Sequence, residues 1–267
     1  MGEAFRCERR AVSMICRECN ADNPEGITVC IDCGSLLERS DDTRQLLLAL
    51  NYEGMGRAFK AIQVYRRLIG SNPGNAFAHK LLGNLYFHEG MLDLAIEEYT
   101  RAIEVDPNYI GAHYDIGISL YHRGRVKESV LHFERVLEID PEFRAAHYRL
   151  GLSHMHLGHL DRAVHHFNQS LHLTPDYMMA HFHLGVTYFQ KGEWDKAIEK
   201  FEEVLRANPH DAGAMYRMGL AYLRKGSKEE ARKCFRKAGE MEPDDEVSKI
   251  HLDDLDGLTH PAAGEIL

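Results

Sequence analysis

The sequence predicts an all-α protein in which helical hairpins stack side by side behind a small metal-binding domain. Two observations carry this prediction. Residues of fixed type recur every 34 positions over 42–245, and four cysteines with the spacing C-x2-C-x10-C-x2-C precede them. The 267 residues are 44% hydrophobic and 27% charged, which is enough apolar material for a continuous core.

The first segment, 1–13, contains three arginines but no apolar stretch after them, so we do not expect a secretory signal. We expect a flexible leader here. No run of 18 apolar residues occurs, so no membrane span is predicted. The predicted compartment is the cytoplasm, where thiols stay reduced and paired CxxC motifs indicate metal ligands.

The next segment, 14–38, holds the cysteine cluster. Its members are Cys16, Cys19, Cys30 and Cys33. Zn²⁺ prefers four tetrahedral ligands, and thiolate is among the best of them. Asn20 and Gly34 follow the two CxxC pairs, where a left-handed backbone is often needed, and these two residue types tolerate it best.

This segment resembles the zinc-ribbon family, which implies one structural Zn²⁺ held by the four cysteines. Four thiolates leave no open position for water, and a redox dithiol would need a βαβ context that is absent from the sequence. Residues Met14 to Asp41 carry two cations against six carboxylates. Phosphate binding needs clustered Lys and Arg, so this charge balance argues against nucleic acid as the ligand.

Five ladders define the repeat. One is Pro73, Pro107, Pro141, Pro175, Pro209 and Pro243. A second is Gly83, Gly117, Gly151, Gly185 and Gly219, with Ala49 in the first register. A third is Gly56, Gly90, Gly124, Gly158, Gly192 and Gly226. A fourth is Ala61, Ala95, Ser129, Ala163, Ala197 and Ala231. The fifth is Tyr65, Tyr99, Phe133, Phe167, Phe201 and Phe235.

These ladders resemble the tetratricopeptide repeat (TPR), whose period is 34 residues. The resemblance implies six repeats forming a right-handed superhelix, with the units 42–75, 76–109, 110–143, 144–177, 178–211 and 212–245. We expect a cap helix at 246–257 and a loose tail at 258–267, because terminal repeats need a solvated outer face.

Each ladder has an expected structural role. Proline ends one helix and starts the next hairpin. The Gly56 ladder caps the first helix of each pair in a left-handed conformation. The Gly83 ladder is expected to face the Ala95 ladder, so that the two helices approach closely. The aromatic ladder is expected to fill the space between one hairpin and the next.

In TPR proteins the first helix of each pair lines a concave groove, and the exposed positions implied by the family are 2, 5, 6, 9, 12 and 13 of each unit. The candidate groove residues are Lys80, Asn84, Phe87, His88, Tyr114, Tyr121, His122, Tyr148, Arg149, Phe182, Phe189 and Tyr216. Such an aromatic strip suits an extended peptide or an amphipathic helix. The alternative is that some rings only pack against their neighbours.

Chaperone-binding TPR domains hold a carboxylate with two Lys, two Asn and one Arg. The chain resembles this pattern at Lys80, Asn84 and Arg149 but departs from it at Asp115 and Ala145. Asp115 would repel a carboxylate, so we disfavour this specificity.

The 17 histidines offer a second metal hypothesis, concentrated in the unit 144–177. However, His79, His113, His147 and His181 share position 4, which is a packing position. We therefore favour packing, with binding or stability that weakens below about pH 6.

Sequence motifs for phosphate loops, nucleophile elbows and zinc proteases are absent. The predicted function is a non-catalytic adaptor without a small-molecule substrate: the groove holds a partner protein or peptide, and the ribbon is a cap or a second contact. One alternative is a nucleic-acid-associated factor acting through the ribbon. Another is an assembly factor that resembles the lipopolysaccharide-assembly proteins, in which TPRs join a metal ribbon.

Overall fold

The structure is a computed structural model that describes residues 14–15, 22–23, 41–243 and 246–257. The predicted leader 1–13, the four candidate zinc ligands and the tail 258–267 lie outside these residues. The described part contains thirteen α-helices, and the prediction of an all-α repeat fold is confirmed.

A short antiparallel strand pair precedes the helices. Strand β1 is Met14–Ile15 and strand β2 is Asp22–Asn23. Met14 lies opposite Asn23, and Ile15 lies opposite Asp22.

The helices form six consecutive pairs followed by a single helix. They are α1 Asp41–Gly54, α2 Ala58–Ser71, α3 Ala76–His88, α4 Leu92–Val105, α5 Ile110–His122, α6 Val126–Ile139, α7 Arg144–His156, α8 Leu160–Leu173, α9 Met178–Gln190, α10 Trp194–Ala207, α11 Ala212–Lys225, α12 Lys228–Met241 and α13 Glu246–Asp256. The chain divides into two compact units, one reaching Leu85 and the other beginning at Tyr86. In the second unit each helix packs on the next, and the first helices α5, α7, α9 and α11 also contact one another in order.

Glycine and proline set the helix ends as predicted. All six members of the Gly56 ladder have a positive φ, between 68° and 89°, and lie one or two residues after the first helix of their pair. A left-handed residue stops the helix, and glycine adopts it without a Cβ clash. Each ladder proline lies in the turn after a second helix, where its ring cannot continue the helical hydrogen bonds.

The small-residue ladder of the first helices lies against the aromatic ladder. A Cβ built on Gly117 or Gly151 would lie 2.6 Å from the ring of Phe133 or Phe167, respectively. The three nearest atoms to each of these glycines belong to the aromatic ladder. These rings are fully buried, and they also pack on the next hairpin, where Phe133 meets Leu150 and Phe167 meets Leu184. The side chain that each glycine lacks leaves the space that the ring occupies.

Position 4 has a role that the period alone does not show. The Nε2–H of His79, His113, His147 and His181 donates to the carbonyl of the proline six residues earlier, at 3.2, 3.1, 3.2 and 2.8 Å. On α13 the Nζ of Lys249 donates to the Pro243 carbonyl at 2.6 Å. The side chain at this position therefore fastens the start of each of these helices to the preceding turn.

Position 4 also meets position 23 of the second helix in the core of the hairpin. The Nδ1 atoms of His113 and His132 lie 3.3 Å apart, and those of His147 and His166 lie 3.2 Å apart. In the last hairpin the same two places hold Met215 and Cys234, which are 7% and 6% exposed and pack in one cluster.

Candidate peptide-binding face

The first helices of the second unit present a common set of columns, which we call the A-helix face. It consists of the side chains at positions 5, 6, 9, 12 and 13 of α5, α7, α9 and α11, together with Phe87 and His88 at the end of α3. Because these helices contact one another in order, equivalent positions form columns that run from repeat to repeat.

The position-5 column is Tyr114, Tyr148, Phe182 and Tyr216. These rings lie against the aromatic ladder of their own hairpin, with centroid distances of 5.6 to 5.9 Å. Tyr148 is only 8% exposed and also packs on Tyr177 at 5.0 Å. Burial raises the pKa of Tyr148 to about 12. This column therefore forms the base of the face, and Tyr148 has little free surface for a ligand.

A position-6 residue contacts the position-5 ring of the preceding repeat. Arg149 Nε donates to the Tyr114 hydroxyl at 3.5 Å, and the Arg217 guanidinium lies 5.5 Å from the Phe182 ring centre. These contacts join residues 35 positions apart, so a search for the 34-residue period does not find them. Among the position-6 residues, only Arg149 belongs to the candidate groove set predicted from the sequence.

Histidine occupies the same column in two other places. The ring of His183 lies 3.3 Å from the Tyr148 hydroxyl, and the ring of His251 on α13 lies 3.0 Å from the Tyr216 hydroxyl. His183 also donates through Nδ1–H to the Met179 carbonyl at 2.8 Å. Burial lowers the pKa of His183, which favours the neutral ring at neutral pH.

The position-9 and position-12 columns are apolar and half-buried. Position 9 holds Ile118, Leu152, Val186 and Leu220. Position 12 holds Phe87, Tyr121, Met155, Phe189 and Leu223. Half-buried apolar side chains in adjacent rows give a surface that a partner could cover.

Position 13 adds exposed imidazoles beside the position-12 rings. His122 lies 5.8 Å from the Phe87 ring, and His156 lies 5.8 Å from the Tyr121 ring. Phe189 instead packs on Trp194 of its own hairpin at 5.2 Å. Of the remaining candidate groove residues, Lys80 and Asn84 lie half-buried on α3 in the first unit, and His88 is exposed.

Metal-ligating residues are not grouped on this face. In the described part of the chain, no three His, Cys, Asp or Glu side chains come together as a metal site requires. The same ranges contain no helix with the length and apolar character needed to cross a bilayer.

Three family models match the sequence. A tetratricopeptide-repeat model matches residues 114–177, 148–212 and 184–246 in overlapping pieces. A second TPR model matches 83–122, and a third matches 45–75. The chain belongs to the tetratricopeptide-repeat family. No curated protein sequence matches it at a significant level.

Solved TPR structures show the same arrangement. YrrB, described as a TPR protein with an unusual peptide-binding site, is 25% identical, with a TM-score of 0.63 over 69% of this chain and 95% of its own. A MamA protein is 27% identical, with a TM-score of 0.60 over 64% and 94%. PilF of Pseudomonas aeruginosa is 18% identical, with a TM-score of 0.64 over 82% and 97%, and shows the shared fold alone.

Proposed function

We propose that this TPR protein is a non-catalytic interaction scaffold whose A-helix face binds a segment of a partner protein. The observation that carries the proposal is the pair of half-buried apolar columns at positions 9 and 12, which lie side by side on successive first helices. Burial of aromatic and aliphatic side chains in such rows supplies most of the energy of a peptide interface.

YrrB supports this assignment, because its description names a peptide-binding site and it shares a quarter of its aligned residues with this chain. The base of the face also supports it. The position-5 rings are already packed, so the apolar rows above them are held in place before a partner arrives. A preformed surface loses little conformational entropy on binding.

The test is affinity capture with the full chain and a double variant, Tyr121→Ala with Phe189→Ala. Each truncation of a buried contact in an interface commonly lowers affinity about tenfold or more, so partner recovery should fall sharply. The matched control is Leu131→Ala, because Leu131 is 64% exposed on the second helix α6, outside the A-helix face. Undiminished recovery by the double variant, with an unchanged helical circular dichroism spectrum, would exclude this face as the binding surface.

We also propose that Cys16, Cys19, Cys30 and Cys33 hold one structural Zn²⁺ in a reducing, cytoplasmic setting. The strand pair supports this, because Ile15 lies opposite Asp22 and the first two cysteines fall between these residues in the sequence. Two CxxC pairs together supply the four ligands of a tetrahedral site. When bound, the metal would stabilise a domain too small to have a sufficient core of its own.

Elemental analysis of the purified full chain tests the zinc proposal. We expect one zinc per chain, lost in a Cys30→Ser with Cys33→Ser variant. Cys234→Ser is the matched control, since that thiol is buried in the last hairpin and should leave the zinc content unchanged. A chain purified under reducing conditions without zinc would overturn the assignment.

A further inference from the structure

Arginines of the second unit divide into two groups. Six of them form ion pairs with carboxylates. The pairs are Arg101–Glu97, Arg123–Asp93, Arg125–Glu128, Arg135–Glu138, Arg206–Glu203 and Arg232–Glu229. Arg149 and Arg217 belong to the other group, because neither has a carboxylate partner among the residues that the structure describes. Both lie in the position-6 column of the A-helix face.

Aromatic side chains hold these two guanidinium groups instead. Arg149 donates one N–H to Tyr114, and Arg217 lies over the Phe182 ring. Stacking orients a guanidinium but uses few of its five donors. The remaining N–H groups of Arg149 and Arg217 are therefore available to an acceptor on a ligand, at a reduced entropic cost.

The repeat between the two arginines carries no formal charge on its first helix. Helix α9 has neither an acidic residue nor a Lys or Arg, and it presents Val186 and Phe189 from the apolar columns. Its own position-6 residue, His183, is already engaged with Tyr148 and with the Met179 carbonyl. A ligand that crosses this helix would meet apolar surface between two cations.

The charge balance of the face favours an acidic partner. Across α5, α7, α9 and α11 the one carboxylate is Asp115. The cations at positions of the face are Arg149, Arg217 and Arg224. The whole chain, in contrast, has a net charge of −9. Complementary charge between two partners raises specificity and association rate. Asp115 would repel an acidic residue of the partner that lay one repeat before Arg149.

The repeat spacing sets the distance between the two acidic residues of the partner. Neighbouring packed helices lie about 8–10 Å apart, so two repeats span about 16–20 Å. An extended chain advances about 3.3 Å per residue, and this span therefore corresponds to about five or six residues.

We propose that Arg149 and Arg217 bind two carboxylates, five or six residues apart, on an extended partner segment whose intervening side chains are apolar. This specificity rests on the proposed function, since it concerns the same face. A nucleic acid is less favoured, because phosphate recognition needs a denser cluster of cations than two arginines separated by an uncharged helix.

The experiment uses the full chain and fluorescein-labelled synthetic peptides of 12 residues. Each peptide carries two glutamates in a leucine and serine background, with three to eight residues between them, and matched peptides carry glutamine or lysine instead. Fluorescence anisotropy should show the tightest binding at four or five intervening residues. Loss of a charged hydrogen bond costs about ten- to a hundredfold in affinity, so R149Q with R217Q should weaken the glutamate peptides by at least that factor.

R135Q with R206Q is the matched control, because these arginines pair with glutamates on second helices. It should leave the affinity unchanged. Equal binding of glutamine peptides, with no effect of R149Q and R217Q, would overturn the specificity and leave the interaction scaffold standing. Binding of a labelled 12-nucleotide single strand instead of any peptide would overturn it in favour of nucleic acid. If no probe binds while Tyr121→Ala with Phe189→Ala still loses its captured partner, the carboxylate proposal alone is wrong.

Discussion

The hairpin of α7 and α8 and the hairpin of α11 and α12 have the same frame around different cores. In both, a fully buried phenylalanine fills the space beside a glycine of the first helix, Phe167 beside Gly151 and Phe235 beside Gly219. The place where position 4 meets position 23 differs. It holds His147 and His166 in the first hairpin, and Met215 and Cys234 in the second.

The residues that build the hairpin are therefore different from the residues at positions 4 and 23, which decide whether its stability depends on pH. The frame depends on glycine, proline and the aromatic ring, which titrate in neither hairpin. A thioether with a buried thiol, whose pKa burial raises to about 11, stays uncharged from acid to neutral pH. Two facing imidazoles take up protons in acid, as the unfolded chain does, but the fold opposes this because protonating both would place two charges within 3.2 Å.

The proline carbonyl settles how the imidazole pair is protonated at neutral pH. Since a carbonyl can only accept, His147 must donate through Nε2–H to Pro141, and a neutral His147 then accepts at Nδ1. His166 must donate its Nδ1–H. Burial, with the nearby charges of His147, His154, His165 and Arg162, lowers the pKa of His166 to about 3. Burial and His113 likewise lower the pKa of His132 to about 4.

The largest expected effect tests the shared frame. Phe167→Ala and Phe235→Ala should each lower the free energy of unfolding by about 3–5 kcal/mol, because each removes a fully buried ring and leaves a cavity. Urea denaturation at pH 8 followed by circular dichroism measures both. The corresponding Phe→Leu changes are the milder controls. A loss of unfolding free energy in only one of the two variants would show that the two hairpins do not share this frame.

Acid should have the next largest effect. The unfolded chain binds protons on histidine near pH 6.5, whereas His132 and His166 bind them only near pH 4 and pH 3 in the fold. Stability is therefore present above about pH 6.5 and is lost as the pH falls toward 4. After allowance for the partial exposure of these rings, we expect a loss of about 2–4 kcal/mol between pH 7 and 4.5. Urea midpoints that do not move over this interval would contradict it.

Exchanging the two core pairs sharpens the comparison. His147→Met with His166→Cys should reduce the acid-induced loss by about 1–2 kcal/mol, because the imidazoles that resist protonation are gone. The reverse exchange, Met215→His with Cys234→His, should introduce an acid-induced loss in the last hairpin. The readout is the slope of unfolding free energy against pH. Parallel slopes in the exchanged and parent chains would show that the acid response arises elsewhere, for example from surface carboxylates.

The smallest effect concerns the turns that both hairpins share. Gly158→Ala and Gly226→Ala should each cost about 1 kcal/mol, since φ is 74° and 89° at these positions and a Cβ is strained there. Gly239→Ala on α12 is the control. It lies in a helix with open space around its Cα and should be neutral or gain up to about 1 kcal/mol. Equal changes in the free energy of unfolding for Gly158→Ala and Gly239→Ala would show that the positive φ at Gly158 does not favour glycine.

The sequence predicts the helix ends well because the prolines and capping glycines act on their own hairpin. Pro141 and Gly158 mark helix ends through backbone sterics that do not depend on the neighbouring repeat, and their 34-residue recurrence is visible directly. The partner of Gly151 is not visible in this way, because the period gives the spacing of a ladder and not the face of the helix on which a ring lies. That Phe167 is the nearest neighbour of Gly151 is therefore known only from the structure.

The candidate site is less predictable, since its contacts link one repeat to the next. Arg149 meets Tyr114 and Arg217 meets Phe182 through an offset of 35 residues, one more than the period. The family pattern names position 6 as exposed but does not say what it touches. Tyr148 is nearly buried, and the sequence does not show this. A tyrosine at position 5 can face solvent or a neighbouring ring, and its residue type does not distinguish the two.

The histidine bond from position 4 to the proline carbonyl also gives four of the repeats a separate NMR signal. A ring proton held on Nε2 by a carbonyl exchanges slowly with water, and its nitrogen resonance differs from that of a free imidazole. His79, His113, His147 and His181 lie in four successive repeats, so NMR could follow when each one opens. A protein built from repeats that contact only their neighbours can unravel from one end, and these four signals would show from which end it begins.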